Sequence, residues 1–373
     1  MEGHVEISRK LPQGLSRRDL LAGTSALGAA AATGFAPASA QGKPVTAIMP
    51  GVFIPDSVRP LIEGKAGVKV ENAPYVSPTD TLAKLLAPGG TSRYDLMISV
   101  TPFVRNPIIG AKAGDEKVAP IDLSLIPNAS KIMDLFKPDI VTRDGKTYMV
   151  PIVWGYDSVI YNADKLPPDD PGTQSWGALF EDKYAGRIAW RDDAHGMILG
   201  AGLFLGNKDP AAMSASDLKD VTSFLTKKKK NVRTMWSTFG SAVSLMSSGE
   251  VWAMYGWIPM RAALQKQGMN VTNNWPKESL LIWSQGAFIP KDSPNAKGSH
   301  AIINAFLDAG VGKSLASETN YPTTSSEISG SFSTDERKKL GLDIVERGVK
   351  VYPLQFPNAM DQWLEAWNTV KSA

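Results

Sequence analysis

From Val45 onward the chain alternates short apolar runs with amphipathic stretches and turn residues. Val45 to Met49 predicts a buried strand, Ser57 to Ala66 a helix, Val68 to Ala73 a second strand and Thr79 to Leu86 a second helix. After the Pro88-Gly89-Gly90 break, Tyr94 to Val100 reads as a third strand. Strands separated by helices of this length imply right-handed crossovers and a mostly parallel sheet. The opening part of the chain is therefore expected to be α/β.

The stretch from Tyr148 to Tyr161 breaks the rhythm, because two β-rich runs flank Trp154-Gly155 with no helix between them. Such a run suits a strand that leaves one lobe and enters another. A second α/β set follows: a strand at Gly186 to Trp190, helices near Gly196 to Leu205 and at Ala215 to Lys228, and a further helix at Thr238 to Ser247. A strand at Val251 to Tyr255 and a helix at Pro259 to Gln267 complete it. Leu280 to Ile289 is another long β-rich run, the expected return crossing. The fold class is thus α/β, two-lobed, with two crossing hinge strands and a ligand cleft between the lobes. Residues 43–150 and 286–373 are assigned to lobe 1, together with the C-terminal helices, and 151–285 to lobe 2. The mostly helical tail from Ser299 should pack back on lobe 1, with Trp363 and Trp367 on one helical face. Hinge closure around a ligand is what this architecture does.

Residues 1–40 carry a different pattern. Ser16-Arg17-Arg18-Asp19-Leu20-Leu21 precedes an Ala/Gly-rich apolar stretch to Phe35, and Ala38-Ser39-Ala40 precedes Gln41. This is the three-part layout of a signal peptide, and the paired arginines point to twin-arginine export with cleavage near Ala40. Periplasmic localisation follows. No later run reaches the roughly 18 continuous apolar residues of a membrane span.

Composition narrows the function. The 40 basic and 37 acidic residues give a net charge of +3 and are spread along the chain, so no nucleic-acid surface is expected. The Lys227 to Lys230 run reads as a solvated helix end. There is no cysteine, which excludes disulfides, thiolate metal sites and a lipid-modified N-terminal cysteine. His195 and His300 stand alone, and the chain carries no nucleophile elbow, Walker loop or dinucleotide fingerprint. No cofactor, metal or catalytic residue is expected, and the chain is read as a binder rather than an enzyme. A carboxylate-only hydrolase on the same scaffold stays open as the alternative from another class.

Tryptophans concentrate in the middle lobe and its crossings. Trp176, Trp190, Trp252 and Trp275 are expected in the core. Trp154, Tyr255, Trp257 and Trp283 sit at strand ends or beside glycines and are candidates for a cleft wall that stacks on a ligand or faces a cation.

Several stretches then resemble a known family in order along the chain: Tyr94-Asp-Leu-Met, Val150-Pro-Ile-Val-Trp-Gly, Ser175-Trp-Gly-Ala-Leu-Phe, Tyr184-Ala-Gly-Arg-Ile, Asp192-Asp-Ala, Trp275-Pro-Lys-Glu and Asn320-Tyr-Pro-Thr. The set is similar to the periplasmic binding proteins of ABC importers, within them the spermidine/putrescine-binding branch. The resemblance implies a polyamine held between aromatic walls with carboxylates at its ammonium ends. It places an aromatic at Phe53, a first-lobe loop residue at Thr101, an amine-gripping carboxylate at Asp193 and a wall at Trp236, with Trp283 and Tyr321 near cleft positions. Gly196 and Tyr255-Gly256-Trp257 depart from it where further acidic groups are expected, and Pro50-Gly51-Val52 lacks the usual tryptophan.

One matched carboxylate does not neutralise two ammonium ends. A small amine with one cationic centre fits better than spermidine, while an organic anion, a zwitterion or a ferric ion stays open; Arg191 and Arg261 flank the expected cleft. The implied partners are an ABC permease and ATPase, and a monomer is expected.

Overall fold

The computed structural model describes residues 43–373 apart from 168 and 358. The proposed signal peptide, residues 1–40, lies outside the described residues.

The first third supplies strands β1 (Val45–Ile48), β2 (Val70–Ala73) and β3 (Leu96–Val100), with helices α1 (Arg59–Ala66), α2 (Pro78–Leu86), α3 (Gly90–Arg93) and α4 (Thr101–Ile109). The hairpin of β4 (Val141–Arg143) leads into the long β5 (Lys146–Asn162). Then come β6 (Ile188–Arg191), α5 (Ala194–Phe204), α6 (Ala215–Lys228), β7 (Val232–Trp236), α7 (Phe239–Ser247), β8 (Ala253–Trp257), α8 (Ile258–Lys266), β9 (Val271–Asn273) and β10 (Leu280–Phe288). The remainder holds α9 (Ala296–Phe306), α10 (Ala309–Thr319), α11 (Thr334–Leu340), β11 (Val351–Pro353) and α12 (Met360–Ser372).

One sheet runs through all of it in the order β2-β1-β3-β10-β5-β8-β6-β7. The outer strands pair in parallel, as crossover connections require, while β10 is antiparallel to both β3 and β5, and β5 to β8. The sheet serves two main cores, with a third, smaller apolar cluster of Ile48, Met97, Val104, Ile108, Met149 and Phe288 on the other face of the first strands. In β5, Val150 to Tyr156 belong to the first core, with β1, β3, α9 and α10, and Val159 to Tyr161 belong to the second, with β6, α5 and β8. The strand passes between cores at Asp157-Ser158, the one polar pair in its buried length. In β10 the pleat divides the residues, with Leu280 and Ile282 in the first core and Leu281 in the second.

A bulge shapes β5. Gln285 pairs with Val153 but Gly286 pairs with Pro151, so Ile152 is the extra residue. Pro151 is tolerated in this interior strand at that irregularity, where a missing N–H costs no ladder bond.

The tail departs from expectation. Helices α9 and α10 contribute Ile302, Phe306 and Val311 to the first core, but α12 lies against α5 and α6 of the second. Its Trp363, Trp367 and Val370 are buried there, and Trp367 Nε1 donates to Asp192 at 2.8 Å. The apolar stripe of α12 continues the second core, so the chain crosses between cores a third time before α12.

Candidate ligand-binding cleft

Between the two cores lies a cavity of about 290 Å3, at the small end of ligand sites. It opens at the carboxyl ends of β3, β6 and β8, where parallel strands hand over to helices and backbone groups and side chains are free to face a ligand. The second core gives it Arg191, Asp193, His195, Gly196, Tyr255 and Trp257. The first gives Thr79, Val100 and Phe103, and the crossing strands give Asp157, Trp283 and Gln285.

Asp157 is the centre. It is almost fully buried, Tyr255 donates its hydroxyl to Oδ2 at 2.6 Å, and Trp283 Nε1 donates to Oδ1 at 2.9 Å. Burial raises its pKa; the charge of Arg191 and the two hydrogen bonds work the other way. Gly155, two residues back on the same face of β5, makes room for the indole: a Cβ there would lie 2.5 Å from Trp283 Cζ2. The Tyr255 hydroxyl is similarly admitted by Gly196, whose Cβ would lie 2.5 Å from it.

Arg191 ends β6. Its guanidinium carbon sits 5.9, 5.8 and 5.2 Å from the ring centres of Trp236, Tyr255 and Trp257, and Nη1 pairs with Asp193 Oδ2 at 3.5 Å. Burial disfavours its charge, but Asp193, Tyr255 and Asp157 more than offset that and its pKa is raised. Asp193 is also the N-cap of α5, accepting from Gly196 N at 3.2 Å. Next to it, His195 Nε2 donates to the Gln355 carbonyl at 2.6 Å, which fixes the tautomer, and its ring meets Phe103 edge-on at 5.4 Å. Burial lowers the His195 pKa and favours the neutral ring.

Tyr321 closes the wall. Trp257 Nε1 donates to its hydroxyl at 3.0 Å, and burial pushes its pKa up to about 12.

Of the residues singled out in the sequence, Asp193, Tyr255, Trp257, Trp283 and Tyr321 line this one cavity. Four others do not. Phe53 stands behind the wall, edge-on to Tyr321 at 5.5 Å. Trp236 supports Trp257 from behind at 5.8 Å. Thr101 opens helix α4 rather than a loop, is buried, and shares a 3.0 Å hydrogen bond with Ser284, which bonds Asp139 in turn. Trp154 is a core residue, packed on Phe136, with Nε1 donating to the Thr323 carbonyl. The pleat explains it: Trp154 and Tyr156 point into the first core, while Gly155 and Asp157 face the cavity. Arg261, expected beside the cleft, is buried and donates to Asn273 and to the Lys339 carbonyl. Asp157, Gln285 and His195 also line the cavity and were not among the sequence candidates. A carboxylate alone in a long apolar strand was the available signal for the first.

Among the described residues no group of three or more His, Cys, Asp or Glu is placed to hold a metal ion, and no helix is long and apolar enough to cross a membrane.

The model of the bacterial extracellular solute-binding protein family matches residues 62–338, most of the chain. The chain belongs to this solute-binding family. The spermidine/putrescine-binding periplasmic protein of Escherichia coli K12 is 26% identical over 276 residues, 73% of this chain and 74% of that one. A putrescine-binding periplasmic protein, SpuD of Pseudomonas aeruginosa, is 24% identical over 326 residues, 83% of this chain and 86% of its own. In structure, the spermidine/putrescine ABC transporter substrate-binding protein PotD of Streptococcus pneumoniae matches with a TM-score of 0.75 at 18% identity, over 88% of this chain and 99% of that one. The fold is therefore that of the two-lobed periplasmic binding proteins.

Proposed function

We propose that the protein is the periplasmic component of an ABC importer and captures a small compound bearing one ammonium group. The observation that carries this is Asp157: a buried carboxylate at the passage between lobes, held by Tyr255 and Trp283 in a cavity walled by Trp257 and Tyr321. Aromatic faces and a desolvated carboxylate are the chemistry that receives an ammonium. Arg191 already engages Asp193, which leaves Asp157 as the carboxylate for the cargo, and Gln285, which also lines the cavity, is neutral. A diamine would bring a second ammonium with no counter-charge, at a desolvation cost of several kcal/mol. The curated relatives named above bind spermidine or putrescine by their names; the amine chemistry is shared and the second charge is not.

Twin-arginine export with cleavage near Ala40 delivers the mature protein to the periplasm, where it acts as a monomer that docks on the permease and its ATPase. No catalytic step is part of this reading.

A thermal-shift screen of the protein from Gln41 onward tests it, using monoamines, diamines, amino acids and organic acids. A ligand that binds only the folded state raises Tm by mass action. Amine-bearing compounds are expected to raise Tm, and Asp157→Asn is expected to remove the shift. Shifts with amine-free acids alone would overturn the assignment.

A further inference from the structure

The cavity is polar in opposite senses at its two ends. Across the sheet the order is β5, β8, β6, which carries Asp157, Tyr255 and Arg191 on successive strands, while Gln285 on β10 pairs with Val153, four residues along β5 from Asp157. At one end lies the Asp157 carboxylate, which accepts from Tyr255 and Trp283. Gln285 Oε1 has no partner among the described residues although the side chain is 7% exposed and lines the cavity. A buried acceptor of this kind awaits a donor.

The other end is positive. Arg191 keeps 34% of its side chain exposed, its one ion pair among the described residues is the 3.5 Å contact with Asp193, and three rings surround the guanidinium. It carries five N–H donors in a planar fork, more than that contact uses. The N-terminus of the eleven-residue α5 reaches the same place through Gly196, adding partial positive charge beside Asp193. A cargo with only ammonium charge would close the cleft over this guanidinium with nothing to offer it.

We propose that the cargo is a zwitterion, a short ω-amino acid or its phosphonate analogue, with its ammonium at Asp157 and its acid group on the free edge of Arg191. This rests on the amine reading above and narrows it. Asp157 and Arg191 stand two strands apart, about 10 Å between backbones, and Tyr255 touches both, its hydroxyl on Asp157 and its ring under the guanidinium. The two charged ends of the cargo are accordingly separated by a few methylenes.

Titration calorimetry on the mature protein, with the series from glycine to 6-aminohexanoate and with n-alkylamines, α,ω-diamines and n-alkanoates of matching length, tests the proposal. One amino acid of intermediate length is expected to bind about 100-fold tighter than its matching amine. Arg191→Met is expected to bring that amino acid down to the level of the amine, with Arg191→Lys in between because the charge stays and the fork is lost. An amine or diamine binding as tightly as every amino acid, or an unchanged amino-acid affinity in Arg191→Met, overturns the zwitterion and leaves the amine reading standing. Binding of alkanoates alone overturns both. A series in which no amino acid binds also overturns the zwitterion.

Discussion

The Tyr255 hydroxyl donates to Asp157 Oδ2 across the β5–β8 pair at 2.6 Å, and both groups are buried at the point where β5 leaves one core for the other. Removing the donor isolates the carboxylate. Tyr255→Phe is expected to cost about 1–3 kcal/mol, read from urea unfolding, and to weaken binding of amine cargo. Unchanged stability and affinity together would show that the carboxylate is held by Trp283 alone.

Asp157 itself should trade stability for binding. Its pKa is raised in the fold, so its contribution to stability is fully present below the ordinary aspartate value of 3.8 and is lost as pH rises through the raised native value. Asp157→Asn does not titrate. Without ligand, its Tm should match that of the wild type near pH 3.5 and exceed it at pH 8, while the mutant fails to bind amines. A wild type that gains on the mutant as pH rises would reverse the sign and refute the account.

Gly155 is the space in which Trp283 lies. Gly155→Ala would put a Cβ 2.5 Å from the indole, and the ring must tilt away from Asp157. We expect a loss of about 1–3 kcal/mol and markedly weaker ligand binding, measured by thermal melts and calorimetry. Gly145→Ala, where a Cβ meets nothing within 4 Å but φ is +72°, is a control that strains the backbone far from the cleft.

Trp367→Ala removes a buried indole packed on Trp190 at 6.3 Å and the hydrogen bond to Asp192, the neighbour of Asp193. A stability loss of about 3–5 kcal/mol is expected. Hydrogen exchange should show the loss in α5 and α6 and spare α1 and α9. Equal loosening of both groups would mean that α12 supports the molecule as a whole.

Much of this was legible before the structure. The strand and helix alternation, the two long crossings and five of the wall residues follow from periodicity, strand ends and ordered motifs. What failed was the face of β5. Nearly every residue of that strand is buried, so the apolar/polar alternation that tells one side from the other is absent, and Trp154 was assigned to the cleft when its parity places it in the core. The same loss hid Asp157, whose significance is its position at the handover between cores. Arg191 was noted as flanking the cleft; its enclosure by three rings depends on β7 and β8 converging from distant sequence. The placement of α12 was illegible for a different reason, since its stripe of Trp363, Trp367 and Val370 names no partner by itself and its neighbours α5 and α6 lie more than a hundred residues away in sequence.

That docking of α12 also dictates an order of assembly. Residues 360–372 complete a core whose other members lie mostly between Val159 and Leu281, and the α5 and α6 residues they pack on are more than a hundred residues away along the chain. Contacts of such long range slow folding and leave apolar surface uncovered meanwhile. A nascent chain that has emerged only as far as β10 would carry its cargo-binding aromatics on a half-built lobe, sticky and unable to grip, until α12 arrives to seal it.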